Sequence, residues 1–202
     1  MKLLLAILPA ILLQFNTQIL LANTGVEADT IIYQIDTSAS RVEWACDIHI
    51  GTISFDSGEL KVADGKLVGG SFHVCMESII DIDIDYDLMR LTLQNTLKSV
   101  DFFYSEKYHY SKFLIDHVEN NSEPAVLFGD LTIVGITQCI GFSFDLNFES
   151  DTVRAKSEEI TLDRTNWGIT SMSKEDAKSD KSFIVPDDFK IVVTLVGIKT
   201  HP

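Results

Sequence analysis

The stretch Ile140-Gly141-Phe142-Ser143-Phe144-Asp145-Leu146-Asn147-Phe148 decides the fold class. Large apolar side chains alternate with Gly, Ser, Asp and Asn, and a period of two puts the two sets on opposite faces of a β-strand. A strand with one apolar and one wet face belongs to an antiparallel sheet that covers a core. The same pattern recurs at Phe72, Val74 and Met76, at Leu127, Leu131 and Ile133, and at Phe189, Ile191, Val193 and Leu195. Counted from Ile31, about eight such runs are present.

Turn residues separate the runs at Asp56-Ser57-Gly58, Asp64-Gly65, Asn120 to Pro124 and Val134-Gly135-Ile136-Thr137, which predicts short reversals and an antiparallel meander. Between Asp81 and Tyr110 the period of two gives way to Leu88, Leu91 and Leu97 with Asp85 and Asp87 near the start. That predicts one or two short helices inserted between strands. Ser171 to Asp187 is polar and ends in Val185-Pro186-Asp187-Asp188, the pattern of a mobile loop before the last strand. About eight strands can stack as a sandwich or close as a barrel, and closure removes edge strands and leaves room for side chains or one small ligand. Composition leaves both open.

Lys2, the apolar run Leu3 to Leu13 and the small-residue site at Val26, Glu27 and Ala28 read as a signal peptide over residues 1–28. Gln14, Asn16 and Gln18 interrupt the run before it reaches a membrane-spanning length. No cysteine follows it at a lipoprotein spacing. Residues 29–202 fit one domain, expected to be periplasmic or secreted and without stable membrane insertion. The whole chain carries 30 acidic and 16 basic residues, a net charge of −14. Such a surface repels phosphate backbones and anionic headgroups, which excludes nucleic acid as a partner.

Cys46, Cys75 and Cys139 permit at most one internal disulfide. A Cys46–Cys75 bridge is compatible with export, but buried free thiols among apolar neighbours are the simpler expectation. No CxxC pair is present, which removes the common zinc and redox motifs. The run Asp81-Ile82-Asp83-Ile84-Asp85-Tyr86-Asp87 resembles the opening of a calcium loop, yet Tyr86 stands where Gly is needed and Thr92 where the closing Glu belongs. An acidic turn before a helix explains it without a metal, and no metal site is expected. His49, His73, His109, His117 and His201 lack ligand spacing. Neither a GxSxG turn nor a phosphate-cradling loop is present, so no enzyme and no cofactor are expected.

Several segments together resemble the YceI-like family of lipocalin-like polyisoprenoid-binding proteins. They are Tyr33 to Asp36 with Ser40 and Val42-Glu43-Trp44, GELKVADGKLVGGSFHVCMESI from Gly58 to Ile79, LQNTLKSVDFF from Leu93 to Phe103, GDLTIVGIT from Gly129 to Thr137, and DRTNWGIT from Asp163 to Thr170. The resemblance implies an all-β fold with a short helical insertion, an extended antiparallel lipocalin-like barrel of about eight strands over residues 29–202. It also implies binding, transport or sequestration of an apolar isoprenoid lipid, quinone-like or prenyl-phosphate-like, in the periplasm. By position, Trp44, Phe72, Val74, Met76, Leu97, Phe102, Phe103, Phe113, Phe142 and Phe144 are the expected lining or mouth, with Arg164 and Asn166 as polar contacts or loop pins. Family analogy inclines towards a homodimer. Cys75 and Thr96 stand where relatives carry Asp and His, so a headgroup site built on those groups is not expected. The alternative is a protein-interaction or stress-response module whose barrel is filled by its own side chains.

Overall fold

The computed structural model describes residues 29–120, 124–176 and 184–200. The expected signal peptide lies outside the described residues, as do parts of the predicted turn at Asn120 to Pro124 and of the predicted loop at Ser171 to Asp187. Eleven strands form one antiparallel sheet: β1 (Ile31–Ile35), β2 (Arg41–Cys46), β3 (His49–Ala63), β4 (Lys66–Cys75), β5 (Ile80–Asp81), β6 (Tyr110–Glu119), β7 (Ala125–Ile133), β8 (Ile136–Glu149), β9 (Thr152–Ser157), β10 (Ile160–Asp163) and β11 (Asp188–Lys199). Helix α1 spans Asp87–Lys98 between β5 and β6.

The choice between sandwich and barrel is settled at β11. It pairs on one side with β2, through Lys190–Thr194, and on the other with β9, through Thr194–Ile198. The sheet therefore returns on itself as a barrel-like ring of eight strand positions. Two of those positions are single paths broken in the middle. β1 and β2 run end to end between β3 and β11, interrupted at residues 36–40. β9 and β10 run end to end on the other flank of β11, interrupted at residues 158–159.

Each interruption leaves a backbone amide of β11 facing a gap, and in each a serine hydroxyl fills the place of the missing carbonyl. Ser40 Oγ accepts from the Val196 amide at 2.9 Å, and Ser157 Oγ accepts from the Val193 amide at 2.9 Å. Both serines are buried, where an unpaired amide would be costly. The two hydroxyls keep the ladder around β11 continuous where the chain bends.

Asp64 and Gly65 take left-handed conformations between β3 and β4, as do Val134 and Gly135 between β7 and β8, the geometry of tight hairpins. The expected reversal at Asp56-Ser57-Gly58 does not occur. Those residues lie inside the single long strand β3, where the register with β4 shifts between Phe55 and Ser57. A β-bulge absorbs the turn-prone residues. Gly58 is required there because a Cβ would sit 2.7 Å from the Phe72 ring and 3.0 Å from the Ser71 carbonyl.

The long connections, residues 76–109 and 164–187, both leave one end of the barrel. The other end carries the Asp64-Gly65 hairpin and the short link between β8 and β9, and near it Leu60, Val62, Leu67 and Val153 are almost fully buried. One end is thus packed by aliphatic side chains of the strands, and the other, called the mouth below, is covered by the long connections. Ser40→Ala should lower the urea midpoint by the equivalent of about 1–3 kcal/mol, the cost of an unsatisfied buried amide. An unchanged midpoint would show that the Val196 amide does not depend on this hydroxyl.

Candidate functional site: an apolar cavity inside the barrel

Alternation along the ring puts every second side chain inside, and because those residues are Phe, Ile, Leu, Val and Met the interior is apolar by sequence. It is not filled. A cavity of about 180 Å³ runs within the ring. Its wall is drawn from β2 to β4, β6 to β11, and the connections at the mouth. Pockets for drug-sized ligands measure roughly 300–1,000 Å³. This cavity is smaller than those, and its lining comes from every strand position of the ring.

Trp44, Phe72, Val74, Met76, Leu97, Phe102, Phe103, Phe113, Phe142, Phe144 and Arg164 all lie on this wall. Phe55 stands edge to face against Phe72 at 6.2 Å, and Phe113 lies tilted against Phe142 at 5.7 Å. Much of the aliphatic lining, such as Ile53, Leu127, Ile191 and Leu195, is not among the residues expected from the sequence. Their inward phase was legible from the alternation, but nothing in the pattern separates a cavity wall from a filled core. Asn166 is exposed and off the wall; its carbonyl accepts from Gln138 Nε2 at 2.8 Å.

The wall has few polar groups. Ser111 Oγ is bonded to Met76 Sδ at 3.0 Å, and Ser157 Oγ serves the β11 ladder. The Trp44 indole N–H is buried and has no hydrogen-bond partner among the described residues, a costly condition that an acceptor on a ligand would relieve. Cys46 is half-buried and unpaired, and burial pushes its thiol above the ordinary value, with nearby Arg164 opposing. Cys75 is likewise half-buried and free. Cys139, expected to be buried, is exposed: Ile140, Phe142 and Phe144 take the inward phase of β8, so Cys139 must point outwards.

Arg164 pins the mouth. Its guanidinium donates to the carbonyls of Ile169 and Ser171 at 2.8 Å and of Val185 and Pro186 at 3.0 Å, and to Asp187 Oδ1 at 3.2 Å. The fork of donors on a planar cation suits this many convergent oxygens. Burial disfavours the charge, and Asp187 counters it. The same group lies over the Phe102 ring at 5.7 Å, tying the two long connections together. The described flanks of the predicted loop at Ser171 to Asp187 are therefore held in place. Arg164 has no donor left for a headgroup.

Helix α1 has no buried residue, and Leu88, Met89 and Leu91 are exposed. The helical insertion predicted from Leu88, Leu91 and Leu97 is real, but only Leu97 turns inwards, onto the cavity. No described helix is long and apolar enough to cross a membrane.

The model of the YceI-like domain matches residues 33–196. The chain belongs to the YceI-like family. No curated protein matches the sequence significantly. Among solved structures, BcnA of Burkholderia cenocepacia is 16% identical with a TM-score of 0.65, over 80% of this chain and 98% of that one. A polyisoprenoid binding domain from Saccharophagus degradans is 10% identical with a TM-score of 0.59, over 83% and 98%. The YceI protein of Campylobacter jejuni is 17% identical with a TM-score of 0.53, over 79% and 85%. At these identities the likeness is one of fold, and the YceI-like barrel is what they share with this chain.

Arg164→Lys keeps the charge but cannot reach all five oxygens. It should destabilise the fold by about 3 kcal/mol in urea titrations and expose residues 169–176 and 184–187 to limited proteolysis. Wild-type stability and resistance would remove Arg164 from its role at the mouth.

Proposed function

We propose that this YceI-like protein binds the polyisoprenoid tail of a lipid inside its barrel and carries or sequesters it in an exported compartment, with no chemical step. The observation that carries this reading is the almost wholly apolar cavity inside a closed ring of strands. Water gains little in such a space, while each buried methylene of a tail contributes about 0.8 kcal/mol. The S. degradans relative, described as polyisoprenoid-binding, supports the same occupant. The acidic surface keeps the carrier dissolved and away from anionic membranes.

Within this proposal the packed end takes the tip of the tail and the mouth holds the polar end. The unpartnered Trp44 indole N–H is the donor for an oxygen on that ligand. A barrel filled by its own side chains, serving only as an interaction module, is the weaker reading because the interior keeps open space.

The chain has two tryptophans, and they differ usefully. Trp44 lines the cavity, whereas Trp167 is buried off the wall with its indole donating to the Leu131 carbonyl at 3.1 Å. Titration with isoprenoid quinones of increasing tail length should quench Trp44 fluorescence. Affinity should rise with each added unit until the cavity is filled, by roughly fourfold per buried methylene at most. Trp44→Phe should remove most of the quenching. Affinity independent of tail length would contradict the proposal.

A further inference from the structure

The start of β3 and the segment through β5 bring His49 together with Asp81 and Asp83, which follow it in the sequence by 32 and 34 residues. The Nδ1 atom of His49 lies 3.1 Å from Asp83 Oδ2 and 3.7 Å from Asp81 Oδ2. The backbone fixes both carboxyl groups. Asp81 Oδ1 accepts from the Ile84 amide at 2.9 Å, and Asp83 Oδ1 accepts from the Ile50 amide at 2.7 Å. In each case one oxygen is anchored and the other turns to a common centre. Ligands oriented by outer hydrogen bonds in this way are typical of built metal sites.

Asp81 Oδ2 is the decisive atom. The Asp81 side chain is fully buried, and apart from the Asp83 carboxyl and the His49 ring that face it, this oxygen has no partner among the described residues. A protonated His49 would answer only part of the need, because Nδ1 carries one proton and Asp83 Oδ2 is the nearer acceptor. Two carboxylates facing one imidazole leave a net negative charge in a partly buried place. A divalent cation at the centre would satisfy all three atoms and neutralise both carboxylates. The approach is purposely tight: a Cβ at Gly51 would lie 1.9 Å from the Ile80 carbonyl oxygen and 2.4 Å from the Trp44 ring. Only glycine lets β5 lie against β3 and bring Asp81 to His49.

We propose that His49, Asp81 and Asp83 form a site for a first-row transition divalent cation, with zinc as the best-fitting ion, beside the mouth of the barrel. Zinc bonds of about 2.0–2.2 Å place tetrahedral ligand atoms roughly 3.3–3.6 Å apart, and the two distances from His49 bracket that range. One imidazole and two carboxylates suit zinc and its neighbours better than calcium, which takes six or more oxygens. The fourth position is left to water or to an anionic group at the mouth. The calcium-like run at Asp81 to Asp87 thus supplies only its first two carboxylates, and the third ligand comes from the neighbouring strand β3.

Calorimetric titration of the metal-stripped protein with Zn²⁺ tests the site. A single zinc per chain should bind, and Co²⁺ in its place should show visible absorption bands. His49→Gln and Asp83→Asn are partly exposed changes that leave the fold intact by circular dichroism, and each should weaken binding at least about tenfold. Absence of zinc binding would overturn the proposal, as would zinc binding untouched by both substitutions, which would place the ion at a surface pair such as Asp116 and His117. Calcium binding in preference to zinc would overturn it as well.

Discussion

The structure depends on the closure of the sheet by β11. A flat or open sheet of this sequence would leave two edges unpaired and an apolar face in need of a cover. β11 removes both problems by pairing along both of its sides, with β1 and β2 on one flank and β9 and β10 on the other. Because each flank is a strand broken in mid-course, closure rests on small polar groups as well as on the ladder. Ser40 and Ser157 hold those breaks.

Closure also fixes where chemistry can sit. The antiparallel path sends both long connections to one end, so the aromatic residues after α1, Arg164 and the His49 turn gather there, while the other end is packed shut. In the proposed function, the packed end takes the tip of a tail and the end with the long connections takes its polar head. Arg164 is the clearest case of a charge used for architecture: all its hydrogen bonds hold main chain or Asp187.

The sequence was most legible where one period governed a long segment. Phe142 and Phe144 face inwards as the alternation of β8 requires, and the same rule sends Cys139 outwards against the expectation of a buried thiol. It was least legible where a local signal had two readings. Asp56-Ser57-Gly58 has the composition of a turn, but a bulge uses the same residues, and only the pairing with β4 distinguishes them. Leu88 and Leu91 predicted a helix correctly without revealing that its apolar residues would stay exposed. Asn166 shares a segment with Arg164, yet the short turn after β10 aims their side chains apart. The meeting of His49 with Asp81 and Asp83 was beyond reach, since spacing along the chain carries no trace of a contact across β3 and β5. Whether the interior would be filled or open is a matter of side-chain volume over the whole ring, which a pattern does not encode.

Native mass spectrometry of the protein purified from expressing cells without detergent, followed by solvent extraction, bears most directly on the claim that the barrel encloses a lipid tail. A discrete added mass that extraction recovers as an isoprenoid lipid is the expected result. A protein that remains at its bare mass even after incubation with quinones and prenyl phosphates would contradict it.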